Sequence, residues 1–465
     1  MSTAALLLSA LCAAAPATLR VDWFHSGDAA QQLFTLDAQV REPLPWPGNP
    51  ARAVDESGLG GWLVEIRDAA DGTLLYSRGH ATLFSEWVTT DEAKTRPRTF
   101  HESARFPDPG RRYRLLLRER SPRGGWETRW EVALDPSSQD VRTALPPPPA
   151  RPIPLLRSGP PQEKVDLLLL GDGYTAKEAG RFEQDARRLL AALFTYSPFK
   201  ERKGDFNAWA LQLPAPPPGG ISRPSTGRQR SSPLGTTYDA FGAERYVLAF
   251  DNRALRDAAA HVPYEFVVVV ANADTYGGGG VFNLYSTVAA RSEWSGYLFV
   301  HEFGHHFAGL ADEYFTADPL YAVDPERPEP WERNVTTTPG SPKWRALLSA
   351  GVLLPTPWDR AAHEARARGY QETRRRLRTE NRPEREMDAL FRSQRIAEEA
   401  ALGHEPHAHA VGAFEGAHYN PAGYYRAEVD CVMFSRNRVP FCSACRSALG
   451  EVMDLYSRPA RMPER

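Results

Sequence analysis

Between residues 19 and 135, apolar and polar positions alternate with a period of two. Trp62, Val64 and Ile66 fall on one side of a strand, and Asp71-Gly72 supplies a turn before Leu74 and Tyr76. Tyr113, Leu115 and Leu117 alternate with Arg114, Leu116 and Arg118. Residues 121–125 then turn the chain into Trp126, Thr128, Trp130 and Val132, again on one side. Such repeated hairpins predict an all-β sandwich over residues 18–135. No group of reactive side chains stands out in it, so a supporting or adhesive module is expected.

The pattern changes after a Pro-rich stretch, residues 136–163, which contains Pro146-Pro147-Pro148-Pro149. Proline fits neither helix interior nor central strand, so this stretch reads as a stiff linker. Residues 165–170 are a continuous apolar run, as in a strand covered on both faces. Thr175 and Glu178 have capping-box spacing, and Phe182, Ala186, Leu189, Leu190 and Leu193 follow at helical spacing. Further strands are expected over 206–211 and 266–270, with a helix over 252–261. This alternation predicts a mixed α/β domain over residues 164–458. Residues 357–402 are dense in Arg and Glu and read as a solvated helical insertion. Gly171-Asp172-Gly173 lacks the third glycine and the lysine of nucleotide loops and reads as a turn.

Composition narrows the setting. The chain has 465 residues, 42% of them hydrophobic, and a net charge of −2, which gives no footing for nucleic acid. Residues 1–17 read as an export signal, because the apolar run 4–15 ends in small residues. No later run reaches the ~20 apolar residues of a membrane span. A secreted monomer, extracellular or periplasmic, is therefore expected. Removing the signal takes Cys12 and leaves Cys431, Cys442 and Cys445, of which an exported chain is expected to join two as a disulfide.

The sharpest chemical pattern is His301-Glu302-Phe303-Gly304-His305. Histidines four apart lie on one face of a helix and can share one metal ion. Glu302 is placed to take a proton from water activated by Zn2+. A catalytic zinc needs a third protein ligand and an open position. Gly309 can adopt positive φ and stop the helix, letting the chain return Asp312 to the metal. This is the logic of the metzincin extension, displaced by one residue. Glu313 is the rival ligand. His306 points about 100° away from His305 and is expected to pack. His404, His407 and His409 are read as a loop beside the insertion rather than as a second metal site.

Those residues, with Gly309-Leu310-Ala311-Asp312-Glu313-Tyr314, resemble the IgA-peptidase family of zinc metallopeptidases. So do Tyr276-Gly277-Gly278-Gly279-Gly280, Phe414-Glu415-Gly416, Tyr425-Arg426, Cys431-Val432-Met433 and Phe441-Cys442-Ser443-Ala444-Cys445. The resemblance covers residues 164–450, interrupted by the charged insertion, and the β-rich region resembles the accessory domain of such proteins. It implies a metzincin-like zincin fold with zinc at the base of a cleft. The glycines 277–280 would lead into a rim strand over 281–288, to which a substrate peptide adds. Met433 would match the methionine turn beneath the metal. A tyrosine would assist the oxyanion, with Tyr425 and Tyr419 as candidates. The expected activity is endopeptidase hydrolysis of protein or peptide substrates. The competing expectations are a surface-binding protein with structural zinc and a zinc amidase.

Overall fold

The computed structural model describes residues 15–122, 124–316 and 328–457, so most of the segment read as an export signal, residues 1–17, lies outside the described residues. The N-terminal region holds strands β1 (Ala17–Gly27), β2 (Gln32–Pro45), β3 (Trp62–Asp68), β4 (Leu74–His80), β5 (Arg98–Pro107), β6 (Tyr113–Arg120) and β7 (Trp126–Leu134). Among the described residues they form two antiparallel sheets, ordered β2-β1-β5 and β4-β3-β6-β7. The period-two alternation explains the packing. Trp62, Val64 and Ile66 join Tyr113, Leu115 and Leu117 in one core with Leu19, Val21, Trp23 and Phe106 of the other sheet. A short helix, α1 (Leu83–Trp87), is capped by the Thr82 side chain on the Ser85 N–H.

The second sheet system contains β8 (Ile153–Leu156), β9 (Val165–Asp172), β10 (Phe206–Gln212), β13 (Phe266–Ala271), β14 (Gly278–Val281) and β15 (Tyr285–Ala289), with the short pair β11 (Thr236–Thr237) and β12 (Leu248–Ala249) between. Its order is β14-β15-β13-β9-β10-β8. The four inner strands are parallel and the two edges antiparallel. Every residue of β9 and β13 is buried, because both faces are covered. Leu167, Leu169, Val268 and Val270 pack beneath helices α2 (Ala179–Leu193) and α4 (Ser295–Ala308). Leu168, Leu170, Val267 and Val269 face the other way, toward α3 (Asn252–Ala259) and Phe84, Trp87 and Phe100 of the N-terminal region.

Three expectations need correction. The Pro-rich stretch is not linker throughout: residues 153–156 are β8, an edge strand where Pro154 costs no interior ladder bond. The rim strand over 281–288 is instead a hairpin. The glycines themselves form β14, Asn283 takes φ 53° at the turn, and β15 returns. The charged insertion is helical, as α5 (Arg360–Thr379) and α6 (Glu384–Gly403), but is not merely a solvated excursion. Met387, Phe391 and Leu402 of α6 are buried in the core that contains α4, and the Arg436 guanidinium lies over the Phe391 ring at 4.0 Å. The remaining strands and helix among the described residues are β16 (Val335–Thr336), before α5, and β17 (Phe414–Ala417), β18 (Asn420–Arg426) and α7 (Ser443–Ser457), after α6. No helix among the described residues is long and apolar enough to cross a membrane.

Candidate active site

Helix α4 carries the His-Glu-His group and ends where glycine permits. Gly309 has φ 58° and ψ 40°, its N–H donates to the His305 carbonyl, and the Leu310 N–H donates to Gly304. The chain then doubles back, and Asp312 meets the two histidines. His301 Nε2 lies 3.1 Å and His305 Nε2 3.3 Å from Asp312 Oδ1, and the two Nε2 atoms are 3.2 Å apart.

The remaining ring nitrogens decide what this triangle can hold. His301 Nδ1 donates to the Val432 carbonyl at 3.0 Å, and His305 Nδ1 donates to the Leu310 carbonyl. A carbonyl only accepts, so the protons sit on Nδ1 and both Nε2 lone pairs face inward. Asp312 Oδ1 is buried and accepts no well-formed hydrogen bond. Three lone pairs converging in a buried space repel unless a cation stands among them. A tetrahedral zinc with bonds of about 2.0–2.1 Å needs ligand edges of about 3.3 Å, and the triangle matches that. Where no ion is bound, a proton would take that place. Burial would raise the Asp312 carboxyl, but the facing imidazoles hold it well below the ordinary range. Burial lowers His305, yet Asp312 more than offsets this and lifts it to about 9.

Glu302 faces the same cleft, where burial pushes its carboxyl above the ordinary range. Room for it comes from the glycine strand. A Cβ on Gly278 would stand 3.0 Å from Glu302 Cγ, and one on Gly280 would overlap the Glu302 carbonyl oxygen. Gly278 spends its outward N–H and C=O on Arg245 and Val247. Gly280, two residues on, faces the same way and lines the cleft.

The sequence-derived residues separate here. His301, His305 and Asp312 come together, with Glu302 beside them. Glu313 does not join them; it points to Cys431, Cys442 and Cys445. Tyr425 is also placed elsewhere. It sits near the end of β18, paired with Thr336, with its hydroxyl 3.4 Å from Glu415. Tyr419, on the turn before β18 with φ 61°, is the tyrosine at the site. Its hydroxyl donates to Asp312 Oδ2 and lies 3.2 Å from the Tyr314 hydroxyl. His306 packs against Phe266 and Phe303 and is fully buried. His404, His407 and His409 are in none of the potential metal-holding groups among the described residues. The expected disulfide is absent: Cys431, Cys442 and Cys445 are all unpaired and buried.

The cleft walls include residues that pattern reading passed over. Arg374 comes from α5, and burial together with Arg245 and Arg436 lowers it to about 10. Glu86 comes from α1 of the N-terminal region, where burial pushes it up to about 7, and it accepts a hydrogen bond from the Tyr246 hydroxyl at 3.3 Å. Both are brought in by tertiary packing; the density of charge in the insertion hinted at Arg374, and nothing in the pattern hinted at Glu86.

Comparison with known proteins bears on the same two regions. The family model described as IgA Peptidase M64 matches residues 153–453. That described as Peptidase M64 N-terminus matches residues 13–131. A search of curated proteins found no match. The first match begins on β8, inside the stretch read as linker, and runs through the His-Glu-His helix and the cysteine segment beyond it. Matched over most of its length and in both of its β-rich halves, the chain belongs to the IgA Peptidase M64 family and is a peptidase.

Proposed function

We propose that the protein is an exported zinc endopeptidase in which His301, His305 and Asp312 hold the catalytic ion. The observation that carries this is the triangle of inward lone pairs on two Nε2 atoms and Asp312 Oδ1, 3.1–3.3 Å on each edge. When bound, zinc supplies Lewis-acid activation of water and of the scissile carbonyl near neutral pH. Everything else falls to side chains and main chain of the protein. Glu302, with its raised proton affinity, takes the proton of the attacking water and passes it to the leaving amine. Tyr419, whose hydroxyl stands at Asp312, would turn its single O–H from that carboxylate to the oxyanion. The outward main chain of Gly280 pairs with an extended substrate.

We read the domain as metzincin-like on three supports: a helix stopped by Gly309, a returning Asp312, and Met433 beneath the helix. A Cβ on Gly304 would stand 3.0 Å from the Met433 sulfur. Export rests on the apolar run 4–15.

Both parts can be tested on protein recovered from outside the cytoplasm. Its mass should show residues at the N-terminus removed, and it should hydrolyse peptides in a manner abolished by a chelator and restored by zinc. Glu302→Gln should retain the metal while kcat falls by at least about 10³-fold. A fully active Glu302→Gln protein would refute the mechanism, and an intact N-terminus would refute export.

A further inference from the structure

We propose that Glu313, Cys431, Cys442 and Cys445 form a second metal site, a closed structural zinc centre. The four residues each bring one ligand atom to within 4.8 Å of the others, and all four are buried. Glu313 follows the returning Asp312. Cys431 lies after β18, just before the turn at 432–434, Cys442 immediately precedes α7, and Cys445 is in its first turn.

The spacing is that of a coordination shell. Zinc–sulfur bonds of about 2.3 Å at tetrahedral angles place sulfurs about 3.8 Å apart, and a sulfur and a carboxylate oxygen about 3.5 Å apart. Cys431 Sγ and Cys445 Sγ are 3.9 Å apart. Glu313 Oε1 is 3.2 Å from Cys445 Sγ and 3.4 Å from Cys442 Sγ. Main-chain N–H groups also point at the sulfurs. Met433 and Cys442 donate to Cys431 Sγ at 3.4 and 3.1 Å, and Cys445 donates to Cys442 Sγ at 3.4 Å. Donors aimed at sulfur favour the thiolate, the form that binds metal.

The carboxylate makes the strongest case. Glu313 is fully buried. Its Oε1 accepts from Asn334 at 3.0 Å, and its Oε2 has no hydrogen-bond partner. A buried carboxylate among three thiols calls for a cation. The nearby buried Arg426 directs its guanidinium to the Gly416 and Val429 carbonyls instead. A divalent ion would neutralise part of the thiolate and carboxylate charge, and Arg426 would offset more. All ligand positions are taken by protein, as in structural zinc sites.

The site would act as a positioning clamp. Glu313 donates its N–H to the Met433 carbonyl at 3.0 Å, and the adjoining Val432 carbonyl fixes His301 Nδ1. One ion would thus lock the segments that aim Asp312 and His301.

The test uses the full chain with cobalt in place of zinc. Thiolate ligands give cobalt an intense near-ultraviolet charge-transfer band, which a His-His-Asp site cannot produce. The protein should carry about two metal atoms per chain and show the band. The double variant His301→Ala/His305→Ala should keep the band with about one metal, so failure of the catalytic reading stays distinguishable. Cys442→Ser should lose about one metal and most of the band. If that variant does not fold, the wild-type spectrum still decides. A cobalt protein without the band, or a disulfide between any two of these cysteines in denatured, unreduced protein, would overturn the proposal.

Discussion

Neighbouring residues 312 and 313 have opposite destinations. In extended chain, successive side chains leave on opposite sides. Asp312 therefore turns to the imidazoles and Glu313 to the cysteines. Tyr419 is the residue whose role depends most on this arrangement, since its hydroxyl donates to the Asp312 carboxylate. Tyr419→Phe should lower kcat by about 10–100-fold with little change in metal content. Steady-state kinetics and metal analysis on the same preparation check this; unchanged kcat would remove Tyr419 from the mechanism. The histidines and Asp312 could be read from spacing because helix geometry and one glycine determine where they go. Tyr419 could not be separated from Tyr425 in that way. Their difference lies in a positive-φ turn and in strand pairing, and neither leaves a periodic trace.

At the level of elements, the glycine strand and the His-Glu-His helix are in closer contact than side chains allow. Gly278 and Gly280 let β14 approach the helix at Glu302 and His305, where a Cβ on Gly280 would come within 2.9 Å of His305 Cβ. Gly280→Ala should destabilise the protein by about 2–3 kcal/mol and weaken metal retention, because the helix must shift. Denaturant unfolding and a chelator titration measure the two effects; a variant matching wild type in both would show that the helix yields at no cost. Strands β9 and β13 could be recognised from their continuous apolar runs. The edges were misread, because β8 contains proline and β14 is nearly all glycine. Neither sequence resembles a strand until pairing partners hold it. The insertion showed its helical character through charge, but not its buried stripe, which Met387 and Phe391 supply sparsely within a polar sequence.

The whole molecule is joined across its two β systems. Phe84, Trp87 and Phe100 share a core with Leu168, Leu170 and Val269. Arg20, fully buried, reaches Asp257 at 2.5 Å. Asn252 donates to Ser103 at 2.8 Å. The intact chain should therefore unfold in a single calorimetric transition. A form truncated before residue 136 should be poorly soluble, having exposed that apolar face. Two well-separated transitions, or a soluble truncated peptidase of wild-type activity, would contradict this. The last strand of the N-terminal region, β7, ends at Leu134, close to where the alternation stops in the sequence. The interface left no such trace, because its members lie far apart in the chain. Glu86 gives that interface a further meaning. One carboxyl of the cleft wall belongs to the module that looked purely architectural, so the wall that would face a substrate is built by both modules. A catalytic region transplanted onto a different partner would keep its chemistry but not the full outline against which substrates are selected.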